Sequence, residues 1–267
     1  MKYCRFDSSE GPRYGLVELV GEVEAITALI SPPFAERLAG APPRETRTLA
    51  QPIALDSADL LAPVEPSKIV CVGRNYRDHA AELNHPVRAE PMFFLKPPSS
   101  LLDPRGVIRR PKASQRVDFE GELALVISRR CRNLDDQEDV RPYILGYTAL
   151  NDVTARDLQT KDAPWTRAKG FDSFCPVGPL VSNAPDPWAG VEVTTRVNGA
   201  LRQQGNTRDF IFPLDAIIRY ISRVMTLLPG DLVATGTPAG VGPLAAGDLV
   251  EVTVAGVGTL RNTVMDE

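Results

Sequence analysis

The run Val117–Ile127, VDFEGELALVI, constrains the chain more than any other segment. On a strand, alternate residues share a face. One face then carries Val117, Phe119, Leu123, Leu125 and Ile127, and the other carries Asp118, Glu120, Glu122, Ala124 and Val126. The first face reads as core. The second opens with three carboxylates and ends apolar, so the acids belong where the strand approaches a cavity or the surface. Neighbours on that face lie roughly 7 Å apart. Two unit charges there repel by about 2 kcal/mol at an effective dielectric near 20. Solvent, a basic partner, a raised pKa or a bound cation can relieve this. The segment alone supports two readings equally: an acid-lined edge strand facing water, and a metal site.

The segment Ile144–Arg156, ILGYTALNDVTAR, is an apolar strand that stops at Asn151-Asp152. An acid at the end of a buried strand is well placed to join a site at a sheet edge, although alone it is more often a turn or N-cap residue. With oxygen ligands and only 2 histidines in the chain, Mg²⁺ is favoured over zinc, with Mn²⁺ or Ca²⁺ as substitutes.

Length and composition bound the rest. A chain of 267 residues suits one large domain with a small extra module. The net charge of −4, with no basic tract, argues against nucleic acid as a partner. The N-terminus, MKYCRFDSSEG, has no apolar core of a signal peptide, and no apolar run reaches membrane-spanning length. Cys4, Cys71, Cys131 and Cys175 form no CxxC pair and read as reduced thiols, so a soluble cytoplasmic protein is expected. The 24 prolines and 20 glycines imply many turns and short elements.

Along the chain, Met1–Phe6, Tyr14–Val20 and Glu22–Ile26 read as strands, followed by a helical piece around Phe34–Leu38. Residues Leu61–Lys68 read as a linker, which predicts a small β-rich N-terminal domain over 1–63 and a catalytic domain over 64–267. Ile69–Val72, Met92–Leu95, Ile144–Asn151, Leu232–Thr235 and Leu249–Val254 are further strands. Tyr76–Leu83 and Asp209–Leu228 read as helices, the second through Phe210, Leu214, Ile217, Ile218, Ile221 and Met225, ended by Pro229-Gly230. The expected class is α+β, predominantly β, with helices set singly between strands. The glycines of Gly236–Gly242 have neither the GxGxxG spacing of a dinucleotide site nor the ending of a P-loop.

Eight segments in order resemble the fumarylacetoacetate hydrolase family: VGRNYRDHAAE from Val72, FLKP from Phe94, VDFEGELALVI, NDVTARDLQ from Asn151, AKGFDSFCPVGP from Ala168, NGALRQQGNT from Asn198, GDLVATGTPAGVG from Gly230 and GDLVEVTVAGVGTLRN from Gly247. The resemblance covers nearly the whole of Lys68–Val264. It implies a β-roll of mixed sheets behind a small N-terminal domain, a homodimer, and a cation held by Glu120, Glu122 and Asp152. It implies that His79 and Glu82 form a water-activating pair on a lid, with Glu82 fixing the imidazole and His79 taking the proton. Lys169 would steady an enolate or oxyanion. Arg74, Gln159 and Thr237 would contact substrate oxygens, Thr237 through its hydroxyl and backbone N–H. Arg156 and Asp157 read equally as substrate contacts and as a structural ion pair, His85 has no role assigned, and Asp118 stands one step behind the ligands.

The resemblance further implies a small 2-oxo acid substrate, as met in aromatic catabolism. The leading outcome is C–C hydrolysis of an acylpyruvate of the fumarylpyruvate or fumarylacetoacetate kind. The alternatives are isomerisation or decarboxylation of a 2-hydroxyhepta-2,4-diene-1,7-dioate-type diacid, and oxaloacetate decarboxylation. A non-catalytic, cation-stabilised binding protein would keep the three carboxylates but could dispense with His79, Glu82 and Lys169, all of which are present. The chain departs from the family between Gly242 and Gly247, where only PLAA connects the two segments.

Overall fold

The computed structural model describes residues 1–34, 46–82 and 89–267. Strands dominate, arranged in three sheets. The largest runs, edge to edge, through Thr46–Ala54, Val23–Ile30, Arg13–Val20, Lys2–Phe6, Cys175–Ser182, Ile144–Asn151, Gly121–Ile127, Leu232–Ala234, Ile69–Gly73 and Met92–Lys96. A second sheet orders Ala200–Asn206, Glu192–Val197, Leu249–Val254, Gly258–Asp266 and Val107–Arg110. A short third one joins Thr154–Ala155, Val117–Phe119 and Gly242–Pro243. The few α-helices are single and short, so the expected mixed, predominantly β architecture is what forms. Among the described residues no helix is long and apolar enough to cross a membrane.

The N-terminal strands do not stand apart from the rest. Lys2 and Tyr3 pair with Ser182 and Val181, which extends the large sheet into the first residues of the chain. The stretch read as a linker is packed, with Ala62, Pro63, Val64 and Pro66 buried beneath this junction. Pro63 and Pro66 lack the N–H that a ladder needs, which prevents strand pairing there without preventing burial.

The acidic run differs from its expected form in a way that builds the site. Val117–Phe119 and Gly121–Ile127 are separate strands in different sheets, and Glu120 is the hinge between them. Every residue from Val117 to Ile127 is buried, and Gly121–Ile127 is paired on both sides, so the water-facing edge strand is excluded. Gly121 makes the switch of sheets sterically feasible: a Cβ there would lie 2.0 Å from Thr195 Oγ1. Gly121→Ala is therefore expected to destabilise the fold by about 1–3 kcal/mol, as overpacking does in a closed interior. A lowered urea midpoint in equilibrium unfolding would record it; an unchanged midpoint would contradict this account of the kink.

The long C-terminal helix is shorter than its periodicity suggests, Leu214–Val224 rather than Asp209–Leu228. Pro213 sits at its N-cap, and the preceding residues form a 3₁₀ turn, Thr207–Asp209. The apolar spacing continues outside the helix because Phe210 is held by an isolated bridge to Tyr76 rather than by helical turns. The helix expected at Tyr76–Leu83 forms as Arg77–Glu82. Of the helical piece around Phe34–Leu38, all but Phe34 lies outside the described residues.

Candidate metal centre

Backbone pairing brings the three acids together. Gly121 is opposite Asn151 in the register of Gly121–Ile127 with Ile144–Asn151, which sets Glu120 beside Asp152 just past the strand end. The Asp152 N–H donates to Glu120 O at 2.8 Å, and the Glu120 N–H donates to Asn151 Oδ1 at 2.9 Å. Glu122 accepts the Gly236 N–H at 2.8 Å. Gly236 adopts φ +98°, and a Cβ there would meet Asn75 Cβ at 2.8 Å, so this close backbone approach requires glycine. One carboxylate oxygen from each of Glu120, Glu122 and Asp152 lies within 4.8 Å of the others.

Buried carboxylates need partners, and the surrounding cations are distributed unevenly. Lys169 Nζ donates to Glu120 Oε2 at 2.7 Å and Asp152 Oδ2 at 2.6 Å. Lys96 Nζ donates to Asp152 Oδ1 at 2.6 Å and Val153 O at 3.2 Å. Arg156 spans Glu120 Oε1 at 2.7 Å and Asp118 Oδ2 at 3.0 Å, and Arg116 holds the other side of Asp118 at 2.8 Å. Glu122 pairs with no cation among the described residues. Burial, then the charges of Asp152 and Glu120, push its carboxyl well above the usual range. Burial opposes the charge of Lys169, but Asp152 and Glu120 outweigh it and hold the ammonium protonated.

This asymmetry is the test of whether a cation fits. Two of the three acids are matched by protein cations, while the third, Glu122, is a buried carboxylate with a single N–H donor and two acids beside it. A divalent ion among three oxygen ligands meets that deficit, and an all-oxygen set suits Mg²⁺, Mn²⁺ or Ca²⁺.

The acids floor a cavity of ≈ 230 Å³ whose walls include Arg74, Phe94, Gln159, Trp165, Lys169 and Thr237. Arg74 has φ 60°, and its guanidinium lies 5.8 Å from the Trp165 ring centre. Gln159 Oε1 accepts from Arg156 Nη1 at 2.6 Å. Lys169 spends two of its three N–H donors on carboxylates, which leaves one for a ligand. Thr237 lines the cavity, and its hydroxyl donates to Gly121 O at 2.9 Å, so that proton is engaged within the protein.

Arg156 and Asp157 do not form the expected pair. Arg156 turns to Asp118 and Glu120, while Asp157 accepts from the Ser114 hydroxyl and the Gln115 N–H. Glu82, at the end of Arg77–Glu82, accepts the Gly240 N–H at 3.2 Å, which ties that helix to the loop bearing Thr237. The side chain of His79 and the whole of His85 lie outside the described residues. The four cysteines are buried and unpaired, and burial pushes the Cys175 thiol up to about 12.

Sequence reasoning missed Lys96, Asn151 and Gln203 as parts of the site. Lys96 carried one signal, an ammonium closing the apolar strand Met92–Lys96. Asn151 and Gln203 carried none beyond lying in segments that resemble the family, because their roles depend on what the fold brings opposite them.

Comparisons with known proteins place the chain in a family. The profile described as fumarylacetoacetate (FAA) hydrolase C-terminal matches residues 68–265, and one described as Rv2993c-like, N-terminal matches residues 1–63. The 2,4-didehydro-3-deoxy-L-rhamnonate hydrolase of Sphingomonas sp. is 36% identical, covering 100% of this chain and 96% of that protein. An oxaloacetate decarboxylase of Dictyostelium discoideum is 43% identical, covering 72% of this chain and 90% of its own. The crystal structure of 2-hydroxyhepta-2,4-diene-1,7-dioate isomerase from Mycobacterium marinum superposes with a TM-score of 0.85 at 40% identity, covering 100% of this chain and 99% of that one. The chain is an enzyme that belongs to the fumarylacetoacetate hydrolase family.

Proposed function

We propose that the enzyme depends on a divalent cation held by Glu120, Glu122 and Asp152, and that it cleaves the C–C bond of an acylpyruvate by hydrolysis. The observation that carries the metal reading is Glu122, a buried carboxylate beside two others and without a cation of its own among the described residues. When bound, such an ion supplies Lewis-acid stabilisation of negative charge developing on the substrate's 2-oxo group.

The chain's own residues do the remainder. Lys169 offers its third N–H to the developing oxyanion, from a position fixed by two carboxylates. The Thr237 N–H binds the substrate carboxylate, and Arg74 meets a charged distal end at the cavity wall. Trp165 and Phe94, 5.3 Å apart and edge to face, restrict water on that side. The hydrolytic outcome is supported by the docking of Arg77–Glu82 on Gly240, which brings the helix bearing His79 and Glu82 to the loop that forms the cavity wall. There His79 takes the proton from water and Glu82 orients the imidazole. Isomerisation of an unsaturated 2-oxo diacid is the second reading, favoured by likeness over the whole chain to the mycobacterial isomerase.

With Mg²⁺ present, an acylpyruvate, oxaloacetate and an unsaturated 2-oxo diacid separate these outcomes. Pyruvate release from the acylpyruvate is expected, with Glu82→Gln lowering it by about 10²–10⁴-fold, the usual contribution of general base catalysis. Release unaffected by Glu82→Gln would overturn hydrolysis through this pair. Absence of turnover with all three substrates would overturn the 2-oxo acid reading.

A further inference from the structure

Gln203 has no part in the chemistry above, yet it is only 1% exposed on the strand Ala200–Asn206. Its Oε1 accepts the Gly121 N–H at 3.0 Å. Its Nε2 donates to Thr237 Oγ1 at 2.7 Å and Pro238 O at 2.8 Å. Thr237 Oγ1 closes the ring by donating to Gly121 O at 2.9 Å. The hydroxyl has one proton, already given to Gly121, so it must accept from the Gln203 amide. That fixes which way the amide points. One side chain thus ties both the peptide link between Glu120 and Glu122 and the loop that forms the far wall of the cavity.

The loop is seated on the same strand by close contacts. A Cβ on Gly205 would lie 2.5 Å from Pro238 Cβ, and one on Gly240 would lie 2.1 Å from Arg202 O. The carboxylate ligands, in contrast, have supports that do not pass through Gln203: Asn151 for Glu120, Gly236 for Glu122, and Lys96 and Lys169 for Asp152.

We infer that Gln203 is a positioning residue that sets the Thr237 backbone N–H against the carboxylate ligands, and so governs substrate affinity rather than cation affinity. This rests on the reading of the cavity as a 2-oxo acid site. The amide acts as a two-ended spacer, and its two ends are separable by substitution. In Gln203→Leu both ends are lost. In Gln203→Glu a carboxylate can still accept the Gly121 N–H but cannot donate to Thr237 or Pro238.

Three measurements on the full chain decide it: Mn²⁺ binding by calorimetry, oxalate affinity in the presence of Mg²⁺, and backbone hydrogen exchange. Gln203→Leu is expected to weaken oxalate about tenfold, the cost of one or two hydrogen bonds, and to leave Mn²⁺ affinity within about twofold. Exchange should quicken at Gly121 and across 237–240. In Gln203→Glu it should quicken across 237–240 only, and this isosteric variant serves if the leucine variant fails to fold. Thr237→Ser, which keeps the hydroxyl, should bind oxalate more tightly than Thr237→Val by about fivefold or more. Equal losses of Mn²⁺ and oxalate affinity, or unaltered exchange in the glutamate variant, would overturn the inference. If the unsubstituted enzyme binds no oxalate, the 2-oxo acid reading fails, and the exchange pattern still decides whether Gln203 holds the loop.

Discussion

Lys96→Met is expected to lower the unfolding free energy by about 3–5 kcal/mol, the cost of removing one partner from a buried ion pair. Methionine keeps the length and much of the volume of the side chain, so the change is mainly one of charge. The Lys96 and Asp152 side chains are 0% and 2% exposed, so water cannot replace the lost ammonium. Asp152 would then rely on Lys169 alone, and Lys169 is shared with Glu120. The midpoint of urea unfolding should fall with little change in its slope. Mg²⁺ should stabilise this variant by more than it stabilises the original chain, because a cation on Asp152 restores the missing charge. A loss below about 1 kcal/mol, the scale of a surface pair, would show that Lys96 is not the partner described.

Glu122→Gln is expected to have opposite effects with and without the cation. An acid whose pKa is raised by folding binds more protons folded than unfolded, so it makes stability fall as pH rises. For Glu122 that fall begins as pH passes the ordinary value of 4.5 and continues up to the raised folded value. Without divalent ions, Glu122→Gln should therefore be the more stable protein at pH 8 and should lose part of the pH dependence. With Mg²⁺ at about a hundred times its Kd, the original chain should gain about 2.7 kcal/mol and the variant nothing. Thermal unfolding at pH 5 and pH 8, with Mg²⁺ and with chelator, reads all four cases. Equal stabilisation of both proteins by Mg²⁺ would place the ion elsewhere. Turnover should vanish in the variant with the cation.

Much of this site was legible in one strand. Alternation put Glu120 and Glu122 on one face, and the apolar run Ile144–Asn151 delivered Asp152 to a strand end. The strand alone left two readings of that face level, the resemblance favoured the cation, and burial excludes the solvated edge, which cannot have its acids closed from water on a strand paired at both sides. Alternation could not show that the strand breaks at Glu120. That break depends on Thr195, Gln203 and Thr237 meeting Gly121, all of them more than seventy residues away in the chain. Lys96 and Gln203 were hidden for the same reason. A lone lysine or glutamine in a strand has no periodicity to reveal its partner, and the partner here sits on another strand. Arg156 shows the reverse error, where sequence adjacency suggested Asp157 but the fold offered two buried carboxylates with a larger claim on its charge. Thr237, expected to offer its hydroxyl and N–H to a substrate carboxylate, lines the cavity with its hydroxyl bonded to Gly121 O.

Calorimetric titration of the purified chain with Mn²⁺, beside Glu122→Gln, tests the central claim most directly. The expected result is one binding site per chain in the original protein, competed by Mg²⁺, and no measurable binding in the variant. Equal binding by the two proteins, or no binding by either, would contradict a cation centre on Glu120, Glu122 and Asp152.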